Sequence, residues 1–217
     1  MRIGLFSLLI LALGFSGCKT YDAVEYFGED RLGDNWSAAS FAGYLNVFHE
    51  KPIALEASEE GQSVYRYLVL QPSDPVYLIK VETILDGSAK VSIKQTPTGY
   101  RRTTSKRIAK SDTVHPTKTE VEAFLAEMSS SDFWRQDEAT QYDFRDDFFT
   151  HPPFFLFEGQ STQGDVSYYD FDPHLRKNTA KIASAFYSMA GLDAEDEWTR
   201  AGYFSEFLNV DWEFEDE

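Results

Sequence analysis

Two aspartates and a histidine alternate in Asp170-Phe171-Asp172-Pro173-His174, at the end of a run of strand-forming residues. Alternate residues of a strand face one way, so Asp170, Asp172 and His174 could converge. Two hard carboxylate oxygens and an imidazole suit a divalent metal, and with one bound the trio would support metal-assisted hydrolysis. Pro173 works against that geometry, because proline is confined to strand ends, edges and bulges. The plainer reading is a strand end whose Asp and Pro make a turn. Asp146, Asp147 and His151 form a looser cluster without the ligand spacing of a zinc site, and read as solvated loop. His115 and His151 each precede a proline, where the chain is held extended. His49 closes a helical pattern, where a positive charge suits the dipole. A G-x-S-x-G elbow and a glycine-rich phosphate loop are both missing, so no cofactor is implied and an enzyme is the less favoured reading.

Arg101, Arg102, Lys106, Arg107 and Lys110 make the one dense basic stretch in an acidic chain. They could contact an acidic partner or lipid head groups. They could equally charge an edge strand, which discourages pairing between sheets.

The remaining reactive residue is Cys18, the chain's single cysteine. One positive residue, Arg2, is followed by an apolar run from Ile3 to Leu13 and then by small residues, Ser16 and Gly17. That is the layout of a secretory signal. The run falls short of the roughly 20 apolar residues that a membrane span needs. Phe15-Ser16-Gly17-Cys18 resembles the lipobox of bacterial lipoproteins, with Phe15 where leucine is usual. The resemblance implies cleavage before Cys18, a diacylated thiol and an acylated new N-terminus. Two acyl chains give stable attachment at about 0.8 kcal/mol per buried methylene. By the enteric sorting rule Lys19, in place of an aspartate, favours the outer membrane over the inner one.

Residues 1–17 are therefore expected to be a signal peptide, and 18–34 a lipidated cysteine with its tether, unless the aromatics Tyr21, Tyr26 and Phe27 pack onto the domain instead. Residues 35–217 are expected to form one α+β domain with an acidic C-terminal tail. The length fits one domain, and 18 Phe, 12 Tyr and 4 Trp supply a core. Twenty Lys and Arg against 36 Asp and Glu leave a net charge of −16. Nucleic acid is a poor partner for such a surface, and so is anionic lipid beyond the acyl anchor. With the lone thiol acylated, folding rests on packing rather than on a disulfide.

The elements follow from period and punctuation. Phe41, Tyr44, Leu45 and Phe48 predict a helix from Ser37 to His49. VYRYLVL (64–70), VYLIKVETI (76–84) and residues 89–96 read as strands, with Asp86-Gly87 as a hairpin turn. Residues 100–110 are expected to pair as a fourth strand. Tight turns make all four antiparallel. Thr117 and Glu120 fit a capping box that opens a helix to Met128, with Val121, Phe124, Leu125 and Met128 on one face. Phe133-Trp134 reads as a core anchor and 136–150 as a long loop. Residues 154–158 and 166–171 read as a hairpin, and 179–190 as a helix stopped by Gly191. The expected architecture is an antiparallel sheet of about six strands with about three helices packed on one face.

The order of VYRYLVL, PVYLIKVETILDGSAKVSIKQTPTG, a helix ending in FW, FLFEG and YYDFDP resembles a group of uncharacterised bacterial proteins. That resemblance spans roughly residues 60 to 192. It implies one domain and brings no activity with it. The sequence thus favours a lipid-anchored envelope protein on the periplasmic side that binds or assembles with a protein partner. The metal-assisted hydrolase is one rival. The other is an inhibitor or immunity-type lipoprotein whose acidic surface blocks a basic partner.

Overall fold

Eight residues of the first strand decide the architecture. The computed structural model describes residues 19–28, 36–56, 61–70, 75–84, 86–97, 108, 110–135, 154–161, 164–170 and 177–192. Strand β1 (Ser63–Leu70) is buried along nearly its whole length, on both faces. A strand with no wet side must lie mid-sheet between two covering layers. It pairs antiparallel with β2 (Tyr77–Thr83) on one side and β5 (Phe154–Ser161) on the other. Strands β3 (Ala89–Gln95) and β4 (Lys110–Val114) extend the sheet beyond β2, and β6 (Gly164–Asp170) extends it beyond β5. The order is β4-β3-β2-β1-β5-β6, antiparallel throughout.

One face carries Tyr65, Tyr67, Val69, Ile79, Val81, Val91, Phe155 and Phe157. Helices α3 (Lys118–Ser130) and α4 (Lys177–Met189) cover it with Val121, Phe124, Met128, Ile182 and Phe186. Tyr67 stacks on Phe157 with ring centres 4.8 Å apart, and on Phe186 at 5.4 Å. The expected capping box opens α3: the Thr117 amide donates to Glu120 Oε2 at 2.6 Å. Leu125, expected on the inner face, is 37% exposed.

The helices, expected on one face, divide between two. Leu68, Leu70, Leu78 and Leu156 point the other way and meet Phe41 and Leu45 of α2 (Trp36–Val47) and Phe48 just after it. The reason lies in the period of two: β1 has apolar residues at both parities, so each face needs a cover. A short helix, α1 (Ala23–Phe27), packs on α2 and buries Tyr26 and Phe27. The expected tether over 18–34 is thus corrected from Tyr21 to Phe27, which joins the fold. Tyr21 and Asn46 exchange hydrogen bonds, Tyr21 N to Oδ1 at 2.9 Å and Nδ2 to Tyr21 O at 2.6 Å.

The fourth strand is described over Lys110–Val114, and of the expected 100–110 stretch only 108 and 110 lie within the described residues. Its register places Val114 opposite Val91, so one apolar residue fixes a strand that is otherwise exposed. Residues 1–18, 100–107, the 136–150 loop and the 193–217 tail lie outside the described residues.

Candidate functional site

The α2 face of the sheet changes character part-way along. Beyond the leucines it presents Arg66 from β1, Lys80 and Glu82 from β2, Lys94 from β3 and Glu158 from β5. Arg66 is 1% exposed and Glu158 is fully buried. They are direct cross-strand partners, and Arg66 Nη2 stands 2.9 Å from Glu158 Oε2. A cation inside a central strand is tolerated only when matched.

Two more carboxylates come from the segment that follows α2. The amide of His49 donates to Asn46 O and that of Glu50 to Leu45 O, which closes α2 in a Schellman turn. His49 takes the left-handed position, with φ of 57°, that glycine usually fills. The turn throws Glu50 inward over the strands while His49 stays exposed. A 3-10 turn at Ile53–Leu55 then delivers Glu56. Lys80 Nζ lies 2.8 Å from Glu56 and 3.4 Å from Glu50, and Lys94 Nζ donates to Glu50 and to Phe48 O. Arg66 Nη1 donates to Lys51 O at 2.6 Å and lies 3.7 Å from Glu50. Tyr26 of α1 joins the edge of this cluster, its hydroxyl donating to Glu50 O at 2.8 Å.

Arg66, Lys80 and Lys94 are matched by Glu50, Glu56 and Glu158, and Glu82, 3.7 Å from Lys80, is balanced by Lys90 at 3.7 Å, so the cluster is internally neutral. Burial pushes the Glu50 carboxyl up, but Lys80, Lys94 and Arg66 outweigh it and hold the group below its usual range. Burial likewise pushes the Lys80 ammonium down, and Glu50, Glu56 and Glu82 reverse that into a net rise. Burial alone accounts for most of the rise at Tyr26. Glu50 and Lys80 are thereby held charged. The set clamps the loop after α2 onto the sheet.

The sequence-predicted metal trio is only partly in view. Asp170 is the last residue of β6, opposite Phe155, on the sheet's outermost strand. Asp172 and His174 lie outside the described residues, as do Asp146, Asp147 and His151. Among the described residues no group of His, Cys, Asp and Glu has the arrangement of a metal site. Of the basic stretch, Lys110 opens β4, is exposed, and pairs with Asp112 at 2.8 Å. Arg101, Arg102, Lys106 and Arg107 lie outside the described residues, as does Cys18. Lys110 thus stands on a strand at the edge of the sheet.

On the other face, α3 and α4 leave an open groove of about 300 Å³ between them, lined by Glu120, Phe124, Glu127, Lys181 and Met189 among others. The buried cluster escapes a reading from sequence because Lys80 and Glu82 look like the wet face of an alternating strand. One signal was present: an arginine within VYRYLVL and a glutamate within FLFEG, each in an apolar strand, require each other. No protein-family model matches the chain, and comparison with curated proteins finds no match.

Proposed function

We propose that the protein is a lipid-anchored component of a bacterial envelope, held through Cys18 on the periplasmic side and acting as a non-enzymatic binding or assembly module. The lipobox-like Phe15-Ser16-Gly17-Cys18 behind its apolar run carries the reading, and Tyr21, three positions later in the sequence, packs against the described core. Among the described residues no helix is long and apolar enough to cross a membrane. The neutral, mutually paired charges of the buried cluster support a structural rather than a catalytic role. Lys19 keeps the outer membrane as the favoured site.

The test is incorporation of radioactive palmitate into the full chain in bacteria. Label on the wild type and none on Cys18→Ala, with the variant released from the membrane fraction, is the expected result. Equal labelling of both, or of neither, overturns the anchor.

A further inference from the structure

We infer that the body lies flush on the lipid surface, with α1 as the contacting element and the α3/α4 face turned away from the bilayer. This rests on the anchor at Cys18. The connection is short and its far end is fixed. Tyr21 is bonded through both its amide and its carbonyl to Asn46. Asp22 and Glu25 form a capping box that sets the start of α1, and Tyr26 ties the helix to Glu50. Even Lys19 is engaged, 3.1 Å from Glu25 and 4.4 Å from the centre of the Tyr21 ring.

Only Lys19 and Thr20 separate Cys18 from that fixed point. Three virtual bonds reach at most about 11 Å. The head-group layer on each side of a bilayer is itself roughly 5–8 Å deep. A lipid on Cys18 therefore leaves Tyr21 no more than about 6 Å beyond the head groups, less than the width of a helix, and the surface nearest the anchor is the one that meets them. That surface is α1, with Val24 43% exposed on it and Tyr21 half-buried beside it. Tyrosine is favoured at the level of the head groups. The net charge of −16 disfavours anionic lipid, so the fitting surface is one of zwitterionic head groups. Because α1 and α2 cover one face of the sheet and α3 and α4 the other, the groove between α3 and α4 faces outward.

The test uses the full chain, exported with its own N-terminal segment and purified from membranes. Val24→Cys or Leu125→Cys carries a fluorophore, the Cys18 thiol being taken by lipid. Both positions are exposed, so labelling leaves the core intact. The protein is reconstituted in phosphatidylcholine vesicles containing lipid with a nitroxide on its head group, which quenches only at short range. The expected result is strong quenching at position 24 and little at position 125. A Gly/Ser spacer of about 12 residues between Lys19 and Thr20, spanning about 20 Å, should bring the ratio of the two toward one. Equal quenching without the spacer, or a ratio the spacer leaves unchanged, overturns the posture. Palmitate incorporation measured on the same preparations separates the failures. Labelled protein with equal quenching sinks the posture alone, whereas unlabelled protein that does not bind vesicles sinks the anchor and the posture with it.

Discussion

Arg66 and Glu158 sit opposite each other in neighbouring strands, and neither reaches solvent. Removing one partner of such a pair strands the other in a medium that cannot solvate it. Glu158→Ala should therefore destabilise the fold by about 3–5 kcal/mol. The double change Arg66→Met with Glu158→Leu removes both charges and fills the space, and should recover most of that loss. Urea titration of the single and double variants checks this. A double variant no better than the single one would mean that the charges serve more than each other. His49 shows a different kind of local cost. Its left-handed backbone is uncommon for a residue other than glycine. That backbone is what turns Glu50 into the cluster.

At the scale of elements, the contact between β5 and the turn after α3 is the tightest. A Cβ on Gly159 would stand 2.5 Å from Phe133 and 2.9 Å from Trp134. Gly159→Ala should destabilise by about 1–3 kcal/mol, because rings wedged against Tyr65 have to move. Thermal unfolding of the variant would show it as a lowered midpoint. The FW and FLFEG motifs picked out in the sequence are thus two sides of one junction. Most elements were legible because their signals are local. The Thr117–Glu120 box, the Asp86-Gly87 turn and the inward faces of α3 and α4 depend on neighbours within a few residues. Residues 111–114 of strand β4 were not legible because KSDTV has almost no apolar content, and its pairing is set by β3 rather than by its own residues. Helix α1 was hidden for a related reason. Five residues cannot hold a helix alone, and Asn46 and the α2 surface supply what is missing. The buried charges were illegible as a group because Glu50 and Glu56 come from a loop that only the folded chain brings over Arg66 and Lys80.

For the molecule as a whole, the cluster contributes at both ends of the pH range. Glu50 is held below its usual value of 4.5, so its contribution is present above that value and is lost as pH falls through the lowered one. Lys80 is raised above its usual 10.5, so its contribution is complete below that value and is lost as pH rises through the raised one. Midpoints of thermal unfolding should be flat between these limits and fall on both sides. Glu50→Gln should start from a lower plateau and show a shallower acid limb. An acid limb as steep as that of the wild type would assign acid unfolding to other carboxylates.

Strand β1 contributes Tyr65, Tyr67 and Val69 to one core and Leu68 and Leu70 to the other. Neither layer can come off without exposing a side of the same eight residues, so the two cores share their fate. Deuterium should therefore enter the β1 backbone amides only when the entire molecule opens, at the rate set by global stability. The amides of α1, clipped on at the rim, should exchange well before them.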